Sequence, residues 1–543
     1  VCKKWYCSTI YNELTSTSTY ERVTFDSERL LHLDAQGYFP LDNLKPTLLA
    51  TITERHERFI HDADFLKGYR ISVDTSALPK PYGIYKVHRQ KLRHVAGSGT
   101  CSMKGLSQFL SKCFGVVTPS IERAWIALHA QMGIEVDSPW IIVNSSPVAA
   151  LARELNRRIK RGDRHKMRFG TLDFSTLYTC IELDDLVTRI SMVLDLAFRN
   201  PDPEGDDFTH IRYKPADFVG TGELINDPPP PPAAANPAGP PPPKKRKKKK
   251  DKWKYLSLSD LKKALSYLVN NTYLKLGNDI ILKQLIGIPI GTNCAVFLAN
   301  LYLFSFEYEF IDRLRRARSA EATALVRDFS FTVRYIDDVL TANNPYFMQW
   351  MTLEDIQLEI DGVTVNAGIY PKYLKLNVED WGIAVHYLDV FIYYNSYTRR
   401  IETTLYEKAT SPEFWAIPFI RYPHIKSILS TGSKYNIITS QVIRYDRIIS
   451  TRKSFVFHTA KLIFYLHRAR GYRLKRLFSK LARVARRIIP RWNFTTIRGF
   501  VRAIERRVNI MLRGGTDSRL NRTLFRKHSL RPKKRLTGIL SPT

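Results

Sequence analysis

The stretch FSFTVRYIDDVLTANN, residues 329–344, places two adjacent carboxylates, Asp337 and Asp338, inside an apolar, β-prone run. Neighbouring anions repel, and burying either without a counter-charge is costly. The stretch reads as two short strands with the acidic pair at the turn between them, and it demands something positive nearby.

A second carboxylate answers to the same pattern upstream. FGTLDFSTLYTCI, residues 169–181, reads as a strand entering a turn, then a helix from about Leu183, with Asp173 at the strand's end. A carboxylate after one strand and a doublet at a hairpin tip can converge from adjacent strands. Three carboxylates meeting at one point call for divalent cations. Mg²⁺ favours carboxylates together with substrate phosphates, and two such ions activate an attacking 3′-hydroxyl and stabilise leaving pyrophosphate.

Bulk properties agree with a polyanionic partner. The chain has 543 residues, 44% of them hydrophobic, enough for several domains, and 84 Lys/Arg against 51 Asp/Glu give +33. Residues 451–543 alone hold 26 Lys/Arg and 2 Asp/Glu, a balance of +24. The six cysteines form no CxxC pair and have no histidine cluster beside them, which argues against zinc and fits a reduced compartment. No apolar run reaches about 18 residues, so no membrane span is expected. The start at Val1 rather than Met reads as a piece of a longer product.

Between the acidic segments the composition breaks. Residues 226–254, NDPPPPPAAANPAGPPPPKKRKKKKDKWK, read as a polyproline spacer and a lysine run, so 201–253 is expected to be a disordered insertion within a domain. Helical periodicity resumes at LSDLKKALSYLVNNTYLKLG, with Ser259 or Asp260 as candidate caps. GIPIGTNC then leads an apolar helix, while residues 76–118 read as a basic hairpin followed by a helix. VHYLDVFIYYN and RRIETTLYEKA form a further strand pair, and the chain beyond about Pro412 reads as helical and basic.

Taken in this order, the motifs resemble those of reverse transcriptases of retroelements, with a Penelope-like or telomerase-like character, over roughly residues 80–480. The resemblance implies an α+β, right-hand polymerase fold with fingers, an antiparallel-sheet palm and a basic helical thumb. It divides the chain into a mostly helical region (1–75), fingers and first palm part (76–200), the insertion (201–253), the rest of the palm (254–400), a thumb (401–490) and a basic C-terminal tail (491–543). It implies RNA-directed DNA polymerase activity, an RNA template, a DNA primer, deoxynucleoside triphosphates and two Mg²⁺ ions, with Mn²⁺ as an alternative.

Residue by residue, Asp173, Asp337 and Asp338 match the metal ligands, with the carbonyl of Phe174 supplying another oxygen. Tyr178 matches the aromatic gate against a ribose 2′-hydroxyl. Pro289 and Gly291, with Gly287, match the loop lying against the nascent base pair. Lys86 and Arg93, with Arg89 in reserve, match the cations that hold the triphosphate. Leu388, Asp389 and Phe391 match the primer-grip hairpin, Asp389 in a structural role. Lys372 or Lys375 falls near the leaving phosphate.

The chain departs from the family where Ile290 stands in place of a common Gln and where Tyr85-Lys86 replaces Pro-Lys. No endonuclease signature is evident. PPPKKRKKKKDK, residues 241–252, resembles a nuclear import signal and equally reads as a nucleic-acid-binding linker. Tyr472, Phe478 and Trp492 have the chemistry to pack or to stack on bases. An RNA-dependent RNA polymerase and a domesticated, non-catalytic nucleic-acid-binding protein are the rival readings.

Overall fold

The computed structural model describes residues 3–16, 18–24, 48–63, 66, 71–86, 91–97, 99–161, 168–200, 205–214, 222–226, 253–277, 280–289, 291–407 and 420–514. Arg89, Ile290, the proline and lysine runs of 227–252 and residues 515–543 lie outside them, as does the side chain of Lys86. Helices and strands are mixed throughout. The chain forms two compact units: Val1–Ile141 with Asp173–Val339 and Pro345–Asn377, and Ile142–Leu172 with Leu340–Asn344 and Val378–Thr543.

The strands bearing the acidic residues belong to a four-stranded sheet in the order Thr332–Tyr335, Asp338–Ala342, Phe169–Phe174, Leu376–Gly382. Phe169, Gly170, Thr171, Leu172 and Phe174 are all buried, and Asp173 alone in that strand is half-exposed. A strand buried on both faces needs side chains without charge, so its one acid stands out.

In the first unit the helices Lys104–Ala130, Leu183–Phe198, Leu258–Asn270 and Ala295–Arg316 supply most of the core, including Phe114, Trp125, Leu194, Leu268, Tyr302 and Phe304. The helix Leu258–Asn270 is capped two to three residues earlier than expected. Ser257, rather than Ser259 or Asp260, accepts the Asp260 N–H, and the chain arrives extended from the strand Lys254–Ser257. A serine with extended backbone dihedrals directly before the first helical residue is what a cap requires.

The basic hairpin is present as Lys80–Lys86 paired with Lys91–Gly97, with Ile84 opposite Arg93. The N-terminal helix Lys3–Thr15 buries Ile10 and Leu14 with the hairpin's Leu92, and the Gly83 N–H donates to Tyr6 Oη at 2.8 Å. This helix braces the hairpin. Region 1–75 also includes a strand, Tyr20–Val23, which pairs with Ile280–Gln284, so it is not purely helical.

One expectation is corrected. Among the described residues of 201–253, His210–Tyr213 forms the middle strand of a sheet between Glu223–Ile225 and Lys254–Ser257. Ile211 and Tyr213 point inward and are buried. The alternation of HIRY satisfies a half-buried strand, a signal drowned in the sequence by the proline-rich composition beside it.

In the second unit, among the described residues, the three-stranded sheet Ala384–Tyr387, Val390–Asn395, Arg400–Leu405 is followed by four α-helices, Thr431–Ile448, Arg452–Arg470, Leu474–Ile488 and Ile497–Leu512. Ser430, Thr451 and Thr496 cap three of them, and Gly471 ends the second at φ 74°. In Leu474–Ile488 the residues Leu477, Leu481, Val484, Ala485 and Ile488 are buried, while Lys475, Arg476, Lys480, Arg483, Arg486 and Arg487 share the other side. Such spacing makes one apolar stripe and one cationic face.

The expected tail from 491 onward is corrected in part. Trp492, Phe500, Ile504 and Val508 join the same core as Tyr472, so 491–514 belongs to the helical unit. Tyr472 and Trp492 are packed rather than presented: Trp492 Nε1 donates to Asp446 and Tyr472 Oη to the Pro423 carbonyl. Phe478 is partly buried against this core.

Candidate metal centre

The hairpin Thr332–Tyr335/Asp338–Ala342 turns through Ile336 and Asp337, and Ile336 takes the left-handed conformation at φ 58°. A β-branched residue there is strained and needs neighbours that hold it. Those neighbours come from two sides.

The Phe174 N–H donates to the Asp337 carbonyl at 3.1 Å, tying the turn to the end of the strand Phe169–Phe174. From beneath, Arg334 Nη1 donates to the Ile336 carbonyl at 3.0 Å and to Asn300 Oδ1 at 3.0 Å. Arg334 is fully buried, and Glu307, equally buried, meets it at two points, Nε–Oε1 2.5 Å and Nη2–Oε2 3.1 Å. Tyr370 Oη donates to the same Glu307 at 2.8 Å, and burial drives that phenol's pKa well above its usual range, so it stays a donor. The Arg334 N–H also bonds the Trp140 carbonyl.

These restraints bring the three sequence-predicted acids together. Asp173, Asp337 and Asp338 each offer a carboxylate oxygen, all mutually within 4.8 Å, and each residue is half-exposed. Cis ligands on an octahedral Mg²⁺ lie about 3 Å apart and trans ligands about 4 Å. Three hard oxygen donors at this spacing, open to solvent, suit Mg²⁺ or Mn²⁺.

The turn after Asp173 is stitched to the segment carrying Lys375. Ser175 donates from both N–H and Oγ to the Lys375 carbonyl, and Thr176 Oγ1 to the Tyr373 carbonyl. Tyr373 Oη in turn donates to Asp185 at 3.0 Å and contacts Tyr302 Oη at 2.7 Å. Lys372 is exposed, 3.8 Å from Asp355.

Tyr178 lies in the field of the acids. Its hydroxyl is pushed up to about 12, first by burial and then by the charge of Asp337, with Arg93 and Arg334 opposing. Arg93 is an exposed residue of the basic hairpin. The GIPIGTNC loop closes against both neighbours. Gly287, at φ 96°, has the Tyr178 carbonyl where a Cβ would stand, at 2.2 Å, and Gly291, at φ 92°, has the Ala96 carbonyl at 1.9 Å. Pro289 is buried between them, and Gln284 Nε2 donates to the Ile286 and Gly287 carbonyls. Glycine is needed at both positions for conformation and for space.

In the second unit, Leu388 takes φ 54° at the hairpin turn before Asp389, which is ion-paired with Arg444, while Phe391 pairs with His386 and Thr404. Asp389 is thus neutralised within its own unit, in keeping with a structural role.

Sequence reasoning missed Arg334, Glu307, Gln284 and Tyr370. Arg334 was visible as the lone cation of the run before the doublet. Glu307 was visible as an acid inside LYLFSFEYEF, where only a buried partner accounts for it.

No protein-family model matches the chain, and no curated protein matches it. Among solved structures it is similar to telomerase from Candida albicans in complex with the TWJ fragment of telomeric RNA, at 10% identity and a TM-score of 0.44, over 92% of this chain and 75% of that one. It is also similar to telomerase from Candida tropicalis, in complex with the TWJ fragment (10%, TM-score 0.38, 81% and 62%) and apo (11%, TM-score 0.36, 96% and 72%). Superpositions this loose leave the function to be read from the chain's own carboxylates and the strands that carry them.

Proposed function

We propose that the chain is an RNA-directed DNA polymerase of the right-hand type, and one observation carries this reading: Asp173, Asp337 and Asp338 converge with hard-metal spacing. The basic hairpin serves as fingers, the sheet bearing the acids as palm and the basic helices of the second unit as thumb.

The reaction joins the primer's 3′-oxygen to the α-phosphorus of a deoxynucleoside triphosphate. The bond from that phosphorus to the β-phosphate's bridging oxygen breaks, pyrophosphate leaves, and the 3′-hydroxyl proton is released. When bound, two Mg²⁺ ions would make the 3′-hydroxyl nucleophilic and neutralise the leaving pyrophosphate. The three aspartates hold that charge, with the Phe174 carbonyl as a further oxygen donor. Arg93, with Lys86 and Arg89, holds the triphosphate, and an arginine fork meets phosphate oxygens at two points. Tyr178 serves as the gate against a ribose 2′-hydroxyl, and the loop of Gly287, Pro289 and Gly291 serves as the surface against the nascent base pair. Leu388, Asp389 and Phe391 support the primer end. The basic run at 241–252 directs the chain to the nucleus, which a reporter fusion with and without it tests.

Primer extension on an RNA template with Mg²⁺ and deoxynucleotides tests the reading. The parent should extend and an Asp337→Asn/Asp338→Asn double variant should not. A parent that extends only with ribonucleotides is an RNA polymerase instead. A parent and variant that bind primer–template equally, with neither extending, make the chain a binding protein.

A further inference from the structure

The second unit contains a basic recess that the polymerase chemistry does not use. Its floor is the helix Ser146–Lys160 and the edge strand Arg400–Leu405. Asn156 clamps the two: its Nδ2 donates to the Ile401 carbonyl and its Oδ1 accepts the Ile401 N–H, both at 2.8 Å. Beside this clamp opens a cavity of about 400 Å³ lined by Arg153, Arg400, Thr398, Ser450 and Thr451 among others. A second hollow of about 250 Å³ shares Arg153 and Arg400 and adds Arg157 and Lys160.

Arg153, Arg157 and Lys160 are spaced four and three residues apart, so they share one helix face over roughly 10 Å. All three are exposed. A fifth cation lies nearby: burial lowers the pKa of Arg491, its ion-pair partner Asp446 opposes this, and the charge of Arg153 adds to it. Two acids share the recess: Glu402 lines it and accepts from Tyr393, Asn395 and Thr398, and Glu154 is ion-paired with Arg157, so four cations stand against two acids. Ser450 and Thr451 end the recess at the capped N-terminus of the 19-residue helix Arg452–Arg470, whose dipole presents partial positive charge.

The balance leaves the rim of the hollow cationic, a surplus that an anion would neutralise. We propose that this recess seats consecutive backbone phosphates of a nucleic-acid strand, with Arg153, Arg157, Lys160 and Arg400 as the contacts. The site makes no use of the aspartates and is independent of whether they catalyse.

Binding of a short single-stranded RNA by the full chain, followed by fluorescence anisotropy across a salt series, tests it. The triple variant Arg153→Ala/Arg157→Ala/Arg400→Ala should flatten the slope of log K against log salt by about 2, because each phosphate on a single strand contributes roughly 0.7. Replacing the same three by lysine should retain the slope, which separates lost charge from a disturbed fold. Arg316→Ala/Arg318→Ala/Arg327→Ala, which strips three exposed cations from the first unit, should change it less. A slope unchanged in the first triple, or lowered as far in the last, overturns the site. So does loss of inorganic tripolyphosphate binding with RNA binding intact, which would make the occupant a small free polyanion.

Discussion

Arg334 and Glu307 meet at two points with both side chains fully buried, and the same guanidinium holds the carbonyl of Ile336, the residue before the acidic doublet. A cation therefore does lie beneath the two aspartates, but it is spent on a glutamate and on the backbone of the turn. What it fixes is the position of Asp337 and Asp338 rather than their charge.

Removing one partner strands a buried charge. Glu307→Gln or Arg334→Met should each cost about 3–5 kcal/mol of unfolding free energy. The double variant Arg334→Met/Glu307→Met should recover much of that loss while extension stays depressed, because nothing then holds the Ile336 carbonyl. Urea unfolding beside primer extension measures both. A double variant less stable than either single one would mean that the pair is not coupled.

Gly287 and Gly291 combine positive φ with no room for a Cβ, whereas Gly362, at φ 78°, faces open space. Gly362→Ala should cost about 1–2 kcal/mol from backbone conformation alone. Gly287→Ala and Gly291→Ala should each exceed it, because a carbonyl must also move, and extension should fall with them. Thermal unfolding of the three variants ranks them, and equal losses would refute the steric part.

Tyr178 keeps its proton until about pH 12. The pH profile of extension between 6 and 9 should therefore be the same in Tyr178→Phe as in the parent. Tyr178→Ala should admit ribonucleotides more readily, read as the ratio of ribo- to deoxynucleotide incorporation. A profile that shifts in the phenylalanine variant would give the hydroxyl an acid–base role.

Two buried histidines set an acid limit. Burial lowers His56 from 6.5 to about 3 and His458 from 6.5 to about 4. Below pH 6.5 the unfolded chain takes up protons that the folded chain refuses, so stability falls as pH drops toward those values. Between pH 6.5 and 5 each should withdraw about 2 kcal/mol from its own unit. His458→Gln and His56→Gln should each shrink the difference between unfolding at pH 7 and pH 5. An undiminished difference would mean that these rings are protonated in the folded state.

The local patterns were legible. Strand, turn and helix around Asp173, the hairpin around Asp337, and the glycine loop before Ala295 all follow from residues adjacent in sequence. What was not legible is non-local. Glu307 and Arg334 are 27 residues apart on a helix and a strand, and nothing in either element names the other. Residues 142–172 group with 378–514 rather than with the helices beside them in sequence, a choice made by tertiary packing. The strand His210–Tyr213 was hidden by its neighbours' composition, and the cap at Ser257 by two better-placed candidates in the sequence.

Glu223–Ile225 and Lys254–Ser257 flank the same strand, His210–Tyr213, on its two sides. Two inter-strand spacings across and three residues along the middle strand put the ends of the intervening segment, Ile225 and Lys254, roughly 14 Å apart. Both flanking strands run antiparallel to the middle one and so parallel to each other, and beyond a crossover of roughly a dozen residues the length of the segment 226–253 is a free parameter of the molecule. The carboxylates on either side of it, Asp173 and the doublet, are likewise carried by separable lengths of chain. The centre is a junction of two pieces, and a chain opened at this point would carry one half of it on each fragment.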